Sequence, residues 1–169
     1  MLGRRLPKTE FDLEFRKKLE EHFHEARTIN YCFQCGTCTG CCPSTKITGR
    51  YNPRLLIESA LLGLTEDLLS SPDIWLCVAC HTCIERCPQG VKVSEVLSII
   101  RNFATRKNNV PEGVKAIASQ FVETGFTIPA AAAILKRRQE MKLPELPKPN
   151  TEEIMKIFEA TGFLKLVRG

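Results

Sequence analysis

Apolar residues along most of this chain recur three and four apart, the period of a helix with one buried face. Phe11, Phe15, Leu19 and Phe23 are spaced by four, and Thr9 stands where a cap belongs. Residues 9–28 therefore predict an amphipathic helix. "STKITGRYNP" carries no such pattern and predicts a loop. "PRLLIESALLG" opens on Pro53 and closes on Gly63, which are start and stop signals of a helix. "TEDLLS" predicts a short helical piece before "SPDIWL". "SEVLSIIRNFATRK" places Val96, Leu97, Ile100, Phe103 and Ala104 on one side, with Ser94 as its cap.

The last third continues the helical pattern. "PEGVKAIASQFVETGF" predicts a helix stopped by Gly125, and "PAAAAILKRRQEM" starts another. "TEEIMKIFEATGF" predicts a helix with Thr151 as cap and Gly162 as stop. Between them Leu143–Asn150 holds three prolines in eight residues, so it is expected to be extended. Such a strap suits either a solvated linker or a segment lying on another protein. The best strand candidate is "VKV" at 91–93, and it is very short. The expected fold is mostly α.

Charge changes meaning once the cysteines are considered. The formal net charge is +5 over 169 residues, with nine cysteines counted as neutral thiols. Eight thiolates around two oxidised four-iron cores would bring it to about +1. The basicity then compensates cluster charge, and a nucleic-acid partner is not expected. The N-terminus turns charged at once without an apolar core, unlike a secretory signal. The apolar run Ala130–Leu135 falls far short of the roughly 18 residues of a membrane span. A cytoplasmic, reducing location is expected, where cysteines serve as metal ligands or redox groups rather than disulfides.

Those cysteines fall into two runs, "CFQCGTCTGCCP" and "CVACHTCIERCP". Aligned on their first residue, Cys32, Cys35, Cys38 and Cys42 match Cys77, Cys80, Cys83 and Cys87, and Pro43 matches Pro88. Both read C-x2-C-x2-C-x3-C-P, the pattern of bacterial-type four-iron ferredoxins, whose fourth cysteine ligates the other cluster. Three cysteines at spacing three wrap three iron corners, and the proline turns the chain away. One [4Fe-4S] cluster is thus assigned Cys32, Cys35, Cys38 and Cys87, and the other Cys77, Cys80, Cys83 and Cys42. Structural zinc uses four ligands, usually as two C-x2-C pairs, and a third cysteine at the same spacing with a fourth before proline, twice over, is more than it requires. Cys41 faces Arg86 in the alignment and is expected to be a bystander.

The runs start 45 positions apart with a helix between them, so the connection resembles the helical ferredoxin at the C-terminal end of succinate dehydrogenase iron–sulfur subunits. That implies two [4Fe-4S] loops between packed helices. Residues 1–30 would be an N-terminal helix, 31–106 the dicluster domain and 107–169 a helical extension with the proline-rich strap. The words "NYCFQCGTC" and "IWLCVACHTCIERCPQGVKV", with "FVETGFTIP" in the tail, resemble the C subunit of the soluble heterodisulfide reductases of methanogenic archaea. The resemblance implies an electron relay between two other components. One is a flavin-containing A component; the other is a B component that reduces the CoM-S-S-CoB heterodisulfide. It also implies a larger hydrogenase- or formate dehydrogenase-linked, electron-bifurcating complex. The cluster motif alone also suits the relay of another sulfur-handling or glycolate-oxidase-like complex. A structural iron–sulfur protein in a regulatory or nucleic-acid-binding role is the alternative of a different class.

Little else in the chain promises chemistry. There is no G-x-G, hence no dinucleotide fingerprint, and no catalytic residue is assigned. His22 and His24 are expected at a surface or interface. His81, inside the second run, suits a solvated loop or the tuning of a cluster. Trp75 suits core packing, Lys136, Arg137 and Arg138 a solvated face or docking patch, and Gly36 and Gly40 a close approach of backbone N–H groups to sulfide.

Overall fold

The computed structural model describes residues 11–128, 130–147 and 149–168. The chain forms two compact units, Met1–Asn109 and Val110–Gly169.

In the first unit, two helices with apolar stripes carry the core. Helix α4, Pro53–Leu62, buries Pro53, Leu56, Ile57 and Ala60, a three-four-seven spacing. Helix α7, Val93–Arg106, buries Val93, Val96, Leu97, Ile100 and Ala104 on one face, with Ile99 beside it. α1, Phe15–His22, adds Phe15 and Leu19, and α5, Thr65–Ser70, adds Leu68 and Leu69. α1, α4 and α5 each pack against α7. Each such side chain withdrawn from water stabilises the unit by about 1.5–3 kcal/mol before entropy is counted.

The N-terminal helix departs from expectation. Thr9 lies outside the described residues. The helix starts only at Phe15 and ends at Phe23, whose extended backbone (φ −155°, ψ 119°) turns the chain into a 3-10 segment, His24–Tyr31. Asn30 Nδ2 then donates to Glu20 Oε1 at 2.7 Å. Ten residues of continuous helix would hold them about 15 Å apart, so the chain has folded back on itself. That reversal buries Ala26 and Ile29 and leaves Phe23 partly exposed. At the other end of α1, Asp12 N donates to Gly63 O at 2.8 Å. Gly63 closes α4 at φ 71°, where any Cβ would collide with the Asp12 carbonyl.

Other expectations need smaller corrections. The loop predicted after Cys42 is partly helical: α3 spans Pro43–Thr48, with Pro43 in its first turn and Gly49 left-handed at its end. Val91 and Val93 form no strand; both are buried, and Val93 begins α7. Among the described residues there is no strand at all. Ser94 does not cap α7. It is buried within the first turn, and its hydroxyl pairs with His81 Nδ1 at 3.0 Å.

The second unit comprises α8 (Glu112–Thr124), α9 (Ala132–Glu140), α10 (Thr151–Thr161) and α11 (Phe163–Arg168). α8 ends on left-handed Gly125 and α10 on left-handed Gly162, as the stop signals predict. α9 begins at Ala132, later than the predicted start at Pro129, and Pro129 itself lies outside the described residues. Asn150, not Thr151, caps α10, accepting from Glu153 N at 3.3 Å. The pattern missed α11, whose Phe163 ring lies tilted at 37° against Phe158, while Phe158 meets Phe121 edge-on at 5.3 Å. Residues 143–147 adopt no regular element.

Candidate metal centre

The two cysteine runs fold alike. Each reverses twice through left-handed backbone, at Gln34 and Gly36 in the first and at Ala79 and His81 in the second. These are equivalent positions in the alignment. For Gln34, Ala79 and His81 that conformation costs on the order of 1–2 kcal/mol each, so the surrounding structure must impose it. Short helices follow at once, α2 (Thr37–Gly40) and α6 (Thr82–Glu85), and they pack against each other. Of the two glycines expected to matter, Gly36 supplies a reversal at φ 81°, whereas Gly40 sits in α2 with open space beside it.

The second loop is pinned from behind. Arg101 Nε donates to Ile74 O at 2.8 Å and its Nη2 to Cys77 O at 2.6 Å, with the guanidinium over Trp75. Trp75 Nε1 donates to Asn109 O at 3.1 Å, so this ring packs and anchors, as expected. The first loop is held by Arg54, whose Nη1 donates to Gln34 Oε1 at 3.2 Å. Thr39 Oγ1 donates to Asn52 Oδ1 at 2.8 Å and accepts from Arg54 N at 3.1 Å, tying α2 to the start of α4.

Around these loops lie two cavities. The first is lined by Cys32, Cys35, Cys38 and Cys87, with Arg54, Ile57 and Val91 among its walls. The second is lined by Cys42, Cys77, Cys80 and Cys83, with Tyr51, His81 and Ser94. Each gathers three cysteines of one run and the fourth of the other. Cys41 lines neither; its Sγ lies 3.6 Å from Cys38 O and 3.9 Å from Thr82 O, between the two loops.

The thiols differ by position. Cys35 and Cys80 are exposed, and the hydroxyls of Thr37 and Thr82, 3.3 and 3.5 Å away, hold their pKa values below the usual thiol range. Burial pushes the Cys38 thiol up, and that of Cys83 to about 11. Val91 N donates to Cys87 Sγ at 3.3 Å, and Gln34 Nε2 to Cys32 Sγ at 3.4 Å. The threonine hydroxyls at Cys35 and Cys80 favour the thiolate, the form that binds metal.

The donor set fits iron–sulfur chemistry better than a single ion. Among the described residues no three Cys, His, Asp or Glu side chains converge on one metal ion. A zinc ion with bonds of about 2.3 Å would draw its thiolates together far more tightly. Four thiolates spread around a cavity suit a larger core with metal at several corners. Tyr51 adds an independent sign. It is buried, and its hydroxyl is the one buried side-chain polar atom among the described residues with no protein partner. An unmade bond there costs about 1–3 kcal/mol, which a group in the second cavity would relieve.

Tyr51, Arg54 and Arg101 escaped the sequence reading, which took Ser94 only for a helix cap. Arg54 left one clue: a cation in the first turn opposes the helix dipole, so another contact had to hold it. Nothing in "GRYNP" marks Tyr51.

A mostly helical protein with two ferredoxin-type cysteine loops is the class that this fold and site define, and the 4Fe-4S dicluster domain family matches residues 16–91. Over 167 residues the chain is 38% identical to the C subunit of the H(2):CoB-CoM heterodisulfide,ferredoxin reductase of Methanothermobacter marburgensis, covering 95% of this chain and 88% of that one. It is 35% identical over 150 residues to the iron-sulfur C subunit of the CoB--CoM heterodisulfide reductase of Methanopyrus kandleri, covering 85% and 77%. It is 36% identical over 134 residues to the C subunit of the Ferredoxin:CoB-CoM heterodisulfide reductase of Methanosarcina mazei, covering 79% and 80%. The chain belongs to the family of heterodisulfide reductase C subunits, electron-transfer iron–sulfur components of an oxidoreductase complex. No helix among the described residues is long and apolar enough to cross a membrane.

Proposed function

We propose that this chain relays electrons through two [4Fe-4S] clusters, from a flavin-containing subunit to the one that reduces the CoM-S-S-CoB heterodisulfide. Cys32, Cys35, Cys38 and Cys87 hold one cluster; Cys77, Cys80, Cys83 and Cys42 hold the other. One observation carries the reading: each cavity is lined by three cysteines of one run and the fourth of the other. Such an exchange ties the loops together and keeps the two sites close, as electron transfer between them requires. When bound, each cluster supplies a one-electron couple.

The protein's own groups do the rest. The left-handed reversals aim three thiolates inward, Pro43 and Pro88 redirect the chain after the fourth, and Arg54 and Arg101 fix the loops. Ile57, Val91, Val93 and Pro53 exclude water from the cavity walls. Among the described residues no second set of groups suggests a substrate site, and the reading gives reduction of the disulfide to a partner. The relatives' names differ in their electron donor, hydrogen for one and ferredoxin for another, so the donor follows the complex in which this chain sits.

The test is Cys42→Ala in the assembled complex. The flavin-containing and disulfide-reducing subunits should still co-purify with it. The cluster of the second loop should disappear from cluster-resolved Mössbauer and EPR spectra, and electron flow from flavin to disulfide should fall at least tenfold. Loss of the first loop's cluster alone would overturn the exchanged pairing. Undiminished flow with the second cluster gone would overturn the relay.

A further inference from the structure

The second cavity contains a donor without an acceptor. Tyr51 follows α3, and its backbone is held on both sides. Tyr51 N donates to Thr48 Oγ1 at 3.2 Å, and Tyr51 O accepts from Thr45 Oγ1 at 2.7 Å. The side chain is only 1% exposed and forms part of the wall that also carries Cys42 and Cys77. Its hydroxyl makes no hydrogen bond within the protein. A phenol keeps its proton well above neutral pH, so the hydroxyl is an O–H donor. A buried phenol with a fixed ring, no partner and sulfur beside it is an arrangement that packing alone does not call for, since phenylalanine would fill the same volume.

We propose that Tyr51 donates a hydrogen bond to a sulfur at the Cys77 side of the second cluster and thereby raises that cluster's reduction potential. The inference rests on the ligand pairing proposed above. An added electron increases the negative charge on the cluster sulfurs, so the O–H donor stabilises the reduced form more than the oxidised one. Among the residues lining the first cavity no tyrosine occurs. The donor therefore acts on the second couple alone and holds it above where that site would stand without it.

Potentiometric titration followed by EPR tests this on the purified complex, with Tyr51→Phe against the native protein. Cys80→Ser identifies which couple belongs to the second loop. In Tyr51→Phe the reduced-to-oxidised ratio of that couple at fixed potential should fall about tenfold, a shift of about 59 mV to lower potential for one electron. The other couple should stay where it is. A second protein carrying 3-fluorotyrosine at position 51 keeps the ring and makes the hydroxyl a stronger donor. It should shift the same couple upward, which a merely space-filling role would not do. Unchanged couples in both proteins with iron intact would overturn the inference, as would equal shifts of both couples. If Tyr51→Phe loses iron, the fluorotyrosine titration decides alone. A native complex with only one such cluster would overturn the pairing itself, and the inference with it.

Discussion

At the scale of single residues, the site is a graded set of thiols. Cys35 and Cys80 stand exposed at the tips of their loops beside threonine hydroxyls that favour the thiolate. Cys38 and Cys83 sit deeper, and burial holds them as thiols to higher pH, Cys83 to about 11. Only the thiolate reacts with alkylating reagents, and a lowered pKa raises its fraction at any given pH. In protein stripped of iron, iodoacetamide should therefore modify Cys35 and Cys80 first. Their labelling should begin at lower pH than that of Cys83 and run at least tenfold faster at pH 7–8. Peptide mass spectrometry over a pH series reads this; equal rates at Cys80 and Cys83 would contradict the grading. Cys41 illustrates what spacing can reveal. Its mismatch with Arg86 singled it out, and the structure leaves it between the loops, outside both cavities. No spacing rule distinguishes an exposed ligand from a buried one, because exposure depends on which helices cover the loop.

At the scale of elements, the loops depend on the helices that follow them. Asn52 Oδ1 accepts from Leu55 N at 3.1 Å, capping α4, and also from Thr39 Oγ1 of α2. Asn52→Ala should cost about 1–2 kcal/mol, since a cap is lost and a threonine hydroxyl loses its acceptor. Asn52→Asp, which keeps the acceptor, should stay within about 0.5 kcal/mol of the native protein. Denaturant titration of the cluster-loaded chain measures both, and an equal loss in the two variants would remove Asn52 from this role. The pattern marked the start of this helix at Pro53 but left Asn52 in the preceding loop, and α4, α7, α8 and α10 all lie close to where their periodicity put them. The break of the N-terminal helix at Phe23 was not legible. Phe23 continues the spacing of four, and only the folding back of His24–Tyr31 onto α1, fixed by Asn30 and Glu20, shows why the helix stops. α3 and α11 are short, and short helices draw their stability from tertiary packing rather than pattern.

At the scale of the whole chain, all nine cysteines lie in the first unit, Met1–Asn109. A group that binds only the folded form stabilises it by mass action. Removing iron by anaerobic chelation should therefore weaken the first unit, with amide exchange rising at least tenfold in α2, α6 and the starts of α4 and α7. Exchange within α8 and α10 should change less than twofold. Hydrogen-exchange mass spectrometry resolves the two units, and uniform loosening of both would show that their stabilities are linked. The residue order by itself determined the class of chemistry, because cluster ligation needs particular atoms at particular chain spacings, and "C-x2-C-x2-C-x3-C-P" written twice states both. It also determined the helical character, because a buried face imposes its period on the sequence. The tertiary structure decided where the first helix breaks and that Arg54 and Arg101 hold the two loops. It also decided that Tyr51 Oη lies buried against Cys77 with no protein acceptor. Those outcomes depend on contacts between residues distant in sequence, which no local pattern encodes.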